Sequence, residues 1–225
     1  MASAAIYTAS VLLSGLVLLT SPHTEPAFHE TQWYAGAVFL FLYLTLLTGA
    51  VAGTTAMRVE AGPRARRALG VSACWFALLH SYFGFYRLVG GLEGLRYWSG
   101  YFARSLLAGL LALAVLCALS VMSLPALMRR MGRSWKPAQR LLYAAAILTL
   151  VHVVTVTIHL RHLRAILIVT YALVTPLLML ELLRFDRWVV ARHRALPRNL
   201  IALLAWPPVA AALFWAFFVL GHHEH

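Results

Sequence analysis

The sequence predicts an all-α fold: a polytopic bundle of membrane-spanning helices that forms a single domain over residues 1–225. Hydrophobic residues make up 62% of the 225 residues and charged residues only 12%, and the mean hydropathy is +0.78. A soluble domain carries about twice that charged fraction. Apolar runs of about 20 residues, the length that crosses roughly 30 Å of hydrocarbon, recur along the chain. Because lipid offers no hydrogen bonds, such spans must be helices that satisfy their own backbone groups.

Seven apolar runs are long enough to be spans, and no long polar segment separates them. The predicted spans are 4–22, 33–55, 69–88, 101–124, 140–160, 165–183 and 199–220. The first run lacks the basic start and the cleavage site of a signal peptide, so we expect it to be a helix of the bundle. The stretch SPHTEPAFHE that follows is expected to be an outer loop, either a cation site or simply polar.

The net charge of +12 is concentrated on one side of the predicted bundle. Fourteen of the nineteen basic residues lie in three alternate connections: Arg58, Arg64, Arg66, Arg67, Arg129, Arg130, Arg133, Lys136, Arg140, Arg184, Arg187, Arg192, Arg194 and Arg198. Basic connections face the cytoplasm in membrane proteins, which predicts a cytoplasmic N-terminus and a periplasmic C-terminus. The same charges favour anionic lipid headgroups. We therefore expect membrane lipid, and no nucleic acid, as a partner.

Four of the ten histidines fall in or near predicted spans: His80, His152, His159 and His162. An ionisable residue inside a span is a functional candidate, although a neutral histidine can also simply hydrogen-bond a neighbouring helix. His80 and His152 lie about 16 and 18 Å from the cytoplasmic ends of two helices that run in the same direction. Two imidazoles at one depth can hold an iron porphyrin from both faces.

Two further residues follow this pair at equal intervals. His159 comes seven residues after His152, and Arg87 comes seven residues after His80. Two α-helical turns place such residues on one face. His159 and Arg87 are therefore candidate partners for haem propionates, since arginine pairs well with carboxylates. The alternative for Arg87 is that it extends to the lipid headgroups.

The remaining unusual residues have simpler interpretations. Cys74 and Cys117 lie inside spans and have no CxxC partner, so we expect them to behave as small apolar side chains. The tail GHHEH, residues 221–225, is either a metal-binding segment or a solvated end. No GxGxxG motif follows a strand, so no flavin or NAD(P) domain is expected.

Two stretches carry a resemblance to a known family: RRALGVSACWFALLHSYFGFY, which contains His80, and MGRSWKPAQRLLYAA, which precedes His152. Over residues 35–185 the chain resembles the ferric-reductase-like transmembrane domain. The branch it resembles most is the haem-binding membrane subunit of bacterial periplasmic methionine sulfoxide reductase. The resemblance implies a six-helix haem-binding core, to which the predicted span 199–220 adds a seventh, C-terminal helix.

The resemblance also implies a function. His80 and His152 match the axial haem ligands, whereas Gln139 stands where the family has a further histidine. This implies one haem b, with His159 or His162 as the residues that would have to recruit a second. The protein would be an electron-transfer subunit of an oxidoreductase in a bacterial inner membrane rather than a stand-alone enzyme. It would pass electrons from a separate cytoplasmic flavoprotein or membrane quinol to a periplasmic redox acceptor.

Two alternatives remain open at this stage. The protein could be a non-redox transporter or assembly subunit, in which the histidines are structural or bind a metal ion. It could also be a degenerate relative that keeps haem only for structure, an interpretation that the glutamine at position 139 favours.

Overall fold

The computed structural model describes residues 2–21, 26–54, 62–159, 164–191 and 199–214. The described residues form helices and short connections and contain no strand, which confirms the predicted all-α fold. The helices are α1 Ala2–Thr20, α2 Pro26–Thr54, α3 Gly62–Tyr82, α4 Gly91–Gly94, α5 Gly100–Met122, α6 Pro125–Met131, α7 Trp135–Ala138, α8 Leu141–His159, α9 Arg164–Val190 and α10 Leu200–Phe214. They fall into two compact units, Met1–Thr45 with Ala61–Val153, and Leu46–Glu60 with Val154–His225.

The sequence predicts seven spans over the whole chain, and the described residues can be compared with six of them over all or nearly all of their length. Within the described residues, five helices are long and apolar enough to cross a membrane, and a sixth is obtained if the bent pair Pro125–Ala138 and Leu141–Thr157 counts as one span. The axes of that pair differ by 57°. The seventh predicted span, 199–220, is described only as the 15-residue helix α10. Large apolar side chains such as Leu12, Leu110 and Ile147 face outward, as lipid contact requires.

In the first unit, α1 packs on α3 through a cluster of serines. The Ser10 hydroxyl donates to the Ser72 hydroxyl over 2.8 Å, and the Trp75 indole donates to the Ser14 hydroxyl over 3.0 Å. The Tyr34 hydroxyl donates to the Ser14 carbonyl over 3.1 Å. Small hydroxyl residues let membrane helices approach closely and hydrogen-bond one another. Helix α1, Ala2–Thr20, therefore packs into the bundle at the place of the first predicted span, 4–22.

The core between α2 and α3 is aromatic. Phe76 stacks on Phe41 with ring centroids 5.2 Å apart, and Tyr34 lies against both Phe76 and Phe83. All four rings are buried. Phe76 and Phe83 therefore pack in the helix interface, which is the usual place for aromatic side chains at helical spacing.

The helix that begins as α3 changes geometry at its end. Residues Phe83–Leu88 form a π-helix, whose i→i+5 bonds lengthen each turn. The seven residues from His80 to Arg87 therefore do not make two regular α-helical turns. The prediction that His80 and Arg87 share one helix face, which assumed such turns, does not apply. The outer loop is also shorter than predicted, because α2 already begins at Pro26 and includes Glu30.

In the second unit, a buried carboxylate joins α9 to α10. Asp186 is 1% exposed. Its two carboxylate oxygens accept the backbone N–H groups of Asn199, over 2.6 Å, and Ile201, over 2.9 Å. The first N–H groups of a helix have no partner within the helix, and a negative charge there is favourable. Asp186 therefore fixes the start of α10 against α9.

Candidate functional site

The first unit brings together the two histidines that the sequence singles out at similar depth. His80, on α3, and His152, on α8, have ring centroids 6.1 Å apart, with an angle of 71° between the ring planes. The two residues are far apart in sequence but lie next to each other in the structure, both partly buried. The structure thus gives an adjacent pair of imidazoles, and the protonation of their ring nitrogens decides what the pair can bind.

The His80 imidazole is held by a backbone carbonyl of α2. Its Nδ1 lies 3.0 Å from the carbonyl oxygen of Thr31. A carbonyl oxygen can only accept a hydrogen bond, so Nδ1 must carry the proton. In the neutral ring the lone pair is then on Nε2, the nitrogen that can bind a metal.

The His152 imidazole is held in the same way by α5. Its Nδ1 lies 2.8 Å from the carbonyl oxygen of Ser105, and the buried Ser105 hydroxyl lies 3.4 Å from the carbonyl oxygen of His152. The lone pair is again placed on Nε2. A hydrogen bond from the second ring nitrogen to a carbonyl is the usual support of a metal-ligating histidine, because it fixes tautomer and ring orientation.

Gly109, one turn after Ser105 on α5, makes room for the His152 ring. A Cβ atom at this position would lie 2.9 Å from Nδ1 and 3.0 Å from Cε1 of His152. Only a residue without a side chain lets the α5 backbone approach the ring this closely. Ser105 and Gly109 together therefore form a support, the α5 cradle, that seats the His152 imidazole.

Arg87 is engaged by a buried acid. Its Nη1 lies 2.8 Å from Oε2 of Glu30, whose side chain is 6% exposed while that of Arg87 is 42% exposed. The guanidinium also lies over the Phe83 ring, 5.3 Å from its centroid. Glu30 directly precedes Thr31, the residue that holds His80. The ion pair therefore ties the π-helix to the part of α2 that positions His80, a role that the sequence alone did not suggest.

A family comparison covers most of the residues of this site. The family model described as ferric reductase like transmembrane component matches residues 31–150, more than half of the chain. The chain belongs to this ferric reductase like family. The match contains Thr31, His80 and the α5 cradle and ends two residues before His152. No curated protein and no solved structure matches the chain.

Membership of the family supports part of the sequence-based interpretation. Ferric reductase like transmembrane domains suggest electron transfer in a membrane, and they generally bind haem. The multi-pass membrane character of the chain follows from the same match and from its apolar helices. The resemblance to the methionine sulfoxide reductase subunit rests on the sequence motifs and stays a prediction.

The residues present fit a haem better than a bare metal ion. The described residues contain no group of three or more His, Cys, Asp or Glu side chains that could enclose a metal, whereas a haem iron brings four ligands of its own and needs only axial ones. An imidazole nitrogen lies about 2 Å from a bound metal and about 1 Å from its own ring centre, so two imidazoles on opposite sides of one ion have centroids roughly 6 Å apart. The observed 6.1 Å agrees with this spacing.

The other sequence candidates are placed less completely. His159 is the last residue of α8, but its side chain lies outside the described residues, as do His162 and the GHHEH tail. Gln139, where the family pattern has a histidine, follows α7. Within the described part of the chain, its Nε2 is buried without a hydrogen-bond partner. An amide is a poor iron ligand, so the described residues offer one adjacent imidazole pair.

Sequence reasoning missed three supporting residues: Thr31, Ser105 and Gly109. Thr31 and Ser105 act through backbone carbonyls, which every residue carries, so their identity gives no signal. Gly109 does give a sequence signal, since a glycine inside the apolar run LLAGLLALA indicates that the helix backbone approaches a neighbouring helix closely.

Proposed function

We propose that the protein is a membrane b-type cytochrome that binds one haem b between His80 and His152 and transfers electrons across the bilayer. The observation that carries the proposal is the adjacent imidazole pair, in which both Nδ1 atoms are held by carbonyls and both lone pairs are on Nε2. Family membership supports the same function.

The haem, when bound, supplies one-electron Fe(III)/Fe(II) chemistry. The chain supplies the rest. The carbonyls of Thr31 and Ser105 keep each imidazole in one tautomer and one orientation. Ligands fixed in this way need little rearrangement when the charge of the centre changes. The surrounding apolar helices exclude water, and burial of this kind tunes the reduction potential.

The proposed direction of transfer follows from charge. Five basic residues in the connection that leads into α8 are exposed: Arg129, Arg130, Arg133, Lys136 and Arg140. With this connection in the cytoplasm, the N-terminus is cytoplasmic, the C-terminus is periplasmic, and the membrane is a bacterial inner membrane. The donor is a separate cytoplasmic flavoprotein or a membrane quinol, and the acceptor is a periplasmic redox protein or substrate.

Two roles near the periplasmic side belong to the same proposal. His159 and Arg87 are the candidate partners of the haem propionates. Arg87 would share its guanidinium between a propionate and Glu30, since the hydrogen bond from Nη1 to Glu30 uses one of the five N–H donors of the guanidinium and leaves four.

The proposal is tested by a dithionite-reduced minus air-oxidised absorption spectrum of the purified protein, with haem quantified as the pyridine haemochrome. We expect a low-spin b-type signal with one haem per chain. His80→Ala and His152→Ala should each abolish it. His29→Ala, a control on α2 whose ring bonds Trp33 instead, should retain it.

A folded preparation without haem, made with ample haem supply, would contradict the proposal and favour a transporter or assembly subunit. Two haems per chain would contradict the single-site assignment.

A further inference from the structure

The two cysteines, which the sequence gives no reason to pair, meet in the structure. Cys74 lies on α3 and Cys117 on α5, and their Sγ atoms are 3.6 Å apart. Both are free thiols. A disulfide bond is about 2 Å long, so the sulfur atoms need to approach by only about 1.5 Å to form one.

The surroundings of the two thiols differ. Cys74 is 5% exposed, whereas Cys117 is partly exposed and its neighbour Ala118 is exposed. Since α5 is a candidate membrane span, the outward side of Cys117 faces the acyl chains. A partly exposed thiol with a second thiol in contact behind it can be oxidised in two steps, in which the accessible sulfur meets the oxidant and the second sulfur resolves the product.

We propose that Cys74 and Cys117 are a redox-active dithiol that a hydroperoxide dissolved in the bilayer oxidises to a disulfide between α3 and α5. In the first step the Cys117 sulfur attacks the terminal oxygen of the hydroperoxide. The O–O bond breaks, the thiol proton passes to the departing alkoxide, and an alcohol and a Cys117 sulfenic acid form. The Cys74 sulfur then attacks the Cys117 sulfur, and the hydroxide leaves with the Cys74 proton as water. The two thiols lose two electrons and the hydroperoxide gains them.

The disulfide would join the two helices that position the histidines. Cys74 precedes His80 by six residues, about 9 Å along α3, and Cys117 follows Gly109 by eight residues, about 12 Å along α5. The pair is therefore a site of its own, and its chemistry does not depend on haem. Once formed, the bond fixes α3 against α5, the helix that carries the α5 cradle.

The test uses the full-length protein in lipid nanodiscs, treated with cumene hydroperoxide, alkylated and digested for mass spectrometry. We expect a peptide linked through Cys74 and Cys117 that is lost on reduction. In Cys74→Ala, dimedone should trap a sulfenic acid at Cys117, and in Cys117→Ala it should label Cys74 at least tenfold less. The double variant Cys117→Ala with Ala118→Cys moves the thiol to the exposed neighbouring position and should give no linked peptide.

The outcome in the wild-type protein decides the proposal, so a variant that folds poorly does not weaken the test. Absence of the linked peptide, under conditions that fully oxidise dithiothreitol in the same nanodiscs, would overturn it. Trapping of a sulfenic acid at Cys117 without a linked peptide would overturn it as well. Neither result bears on the haem, which is measured separately by its spectrum.

Discussion

At the level of single residues, the histidine pair depends on atoms that hold the rings and not only on the rings themselves. Thr31 and Ser105 contribute carbonyl oxygens, and Gly109 contributes the absence of a side chain. A substitution at Thr31 or Ser105 leaves the backbone carbonyl in place. A substitution at Gly109 instead adds a Cβ atom against the His152 ring. It is therefore the most direct probe of how His152 is positioned.

Gly109→Ala should lower haem occupancy at least severalfold, because the new Cβ would lie 2.9 Å from Nδ1 of His152 and push the ring from its seat. Forcing a methyl group into a packed site typically costs about 1–3 kcal/mol. The measurement is haem per chain by pyridine haemochrome, together with the thermal unfolding midpoint. Gly36→Ala is the matched control, since nothing lies within 4 Å of its added Cβ. Equal occupancy in both variants would show that the cradle does not position His152.

At the level of elements, the end of α3 combines a π-helix with an ion pair to α2. The π-helix Phe83–Leu88 carries Arg87 to Glu30, which lies beside the carbonyl that holds His80. Such local π-geometry inside an α-helix is frequent at functional sites. The ion pair and the imidazole support are thus adjacent on α2, and we expect the first to stabilise the second.

Glu30→Gln should lower the free energy of unfolding by about 1.5–3 kcal/mol, the usual contribution of a hydrogen bond to a charged group. Partial exposure of Arg87 places the effect below that of a fully buried pair. Thermal unfolding of the detergent-solubilised protein measures this effect. A double-mutant cycle with Arg87→Gln separates the pair from other effects, and strict additivity of the two substitutions would contradict an interaction between them.

At the level of the whole molecule, the two compact units carry different features. The hydrogen bonds of His80 with Thr31 and of His152 with Ser105 lie in the first unit, and so does the cysteine pair. The second unit contains the buried Asp186 that holds the start of α10. This separation predicts that the second unit can be weakened without loss of the haem signal.

Asp186→Ala should release the start of α10, because the backbone N–H groups of Asn199 and Ile201 lose their acceptors. Each unsatisfied N–H group destabilises the folded state by about 1–3 kcal/mol. Limited proteolysis between α9 and α10 should become faster by an order of magnitude or more. The haem content should remain at the wild-type level. Unchanged proteolysis would contradict the capping role of Asp186, and a loss of haem would show that the second unit supports the site.

The amino-acid sequence by itself determined the class of the protein and the chemistry of its candidate ligands. Apolar runs of span length impose membrane helices, because unpaired backbone groups are too costly in lipid, and histidines at one depth suggest a shared ligand. The tertiary structure decided what meets those residues. The rotation of each helix about its axis is set by packing. The sequence therefore does not predict which contacts form, such as the carbonyl supports, the Glu30–Arg87 pair and the approach of Cys74 to Cys117. The π-helix that shifts Arg87 depends on the same packing, which a seven-residue interval does not encode.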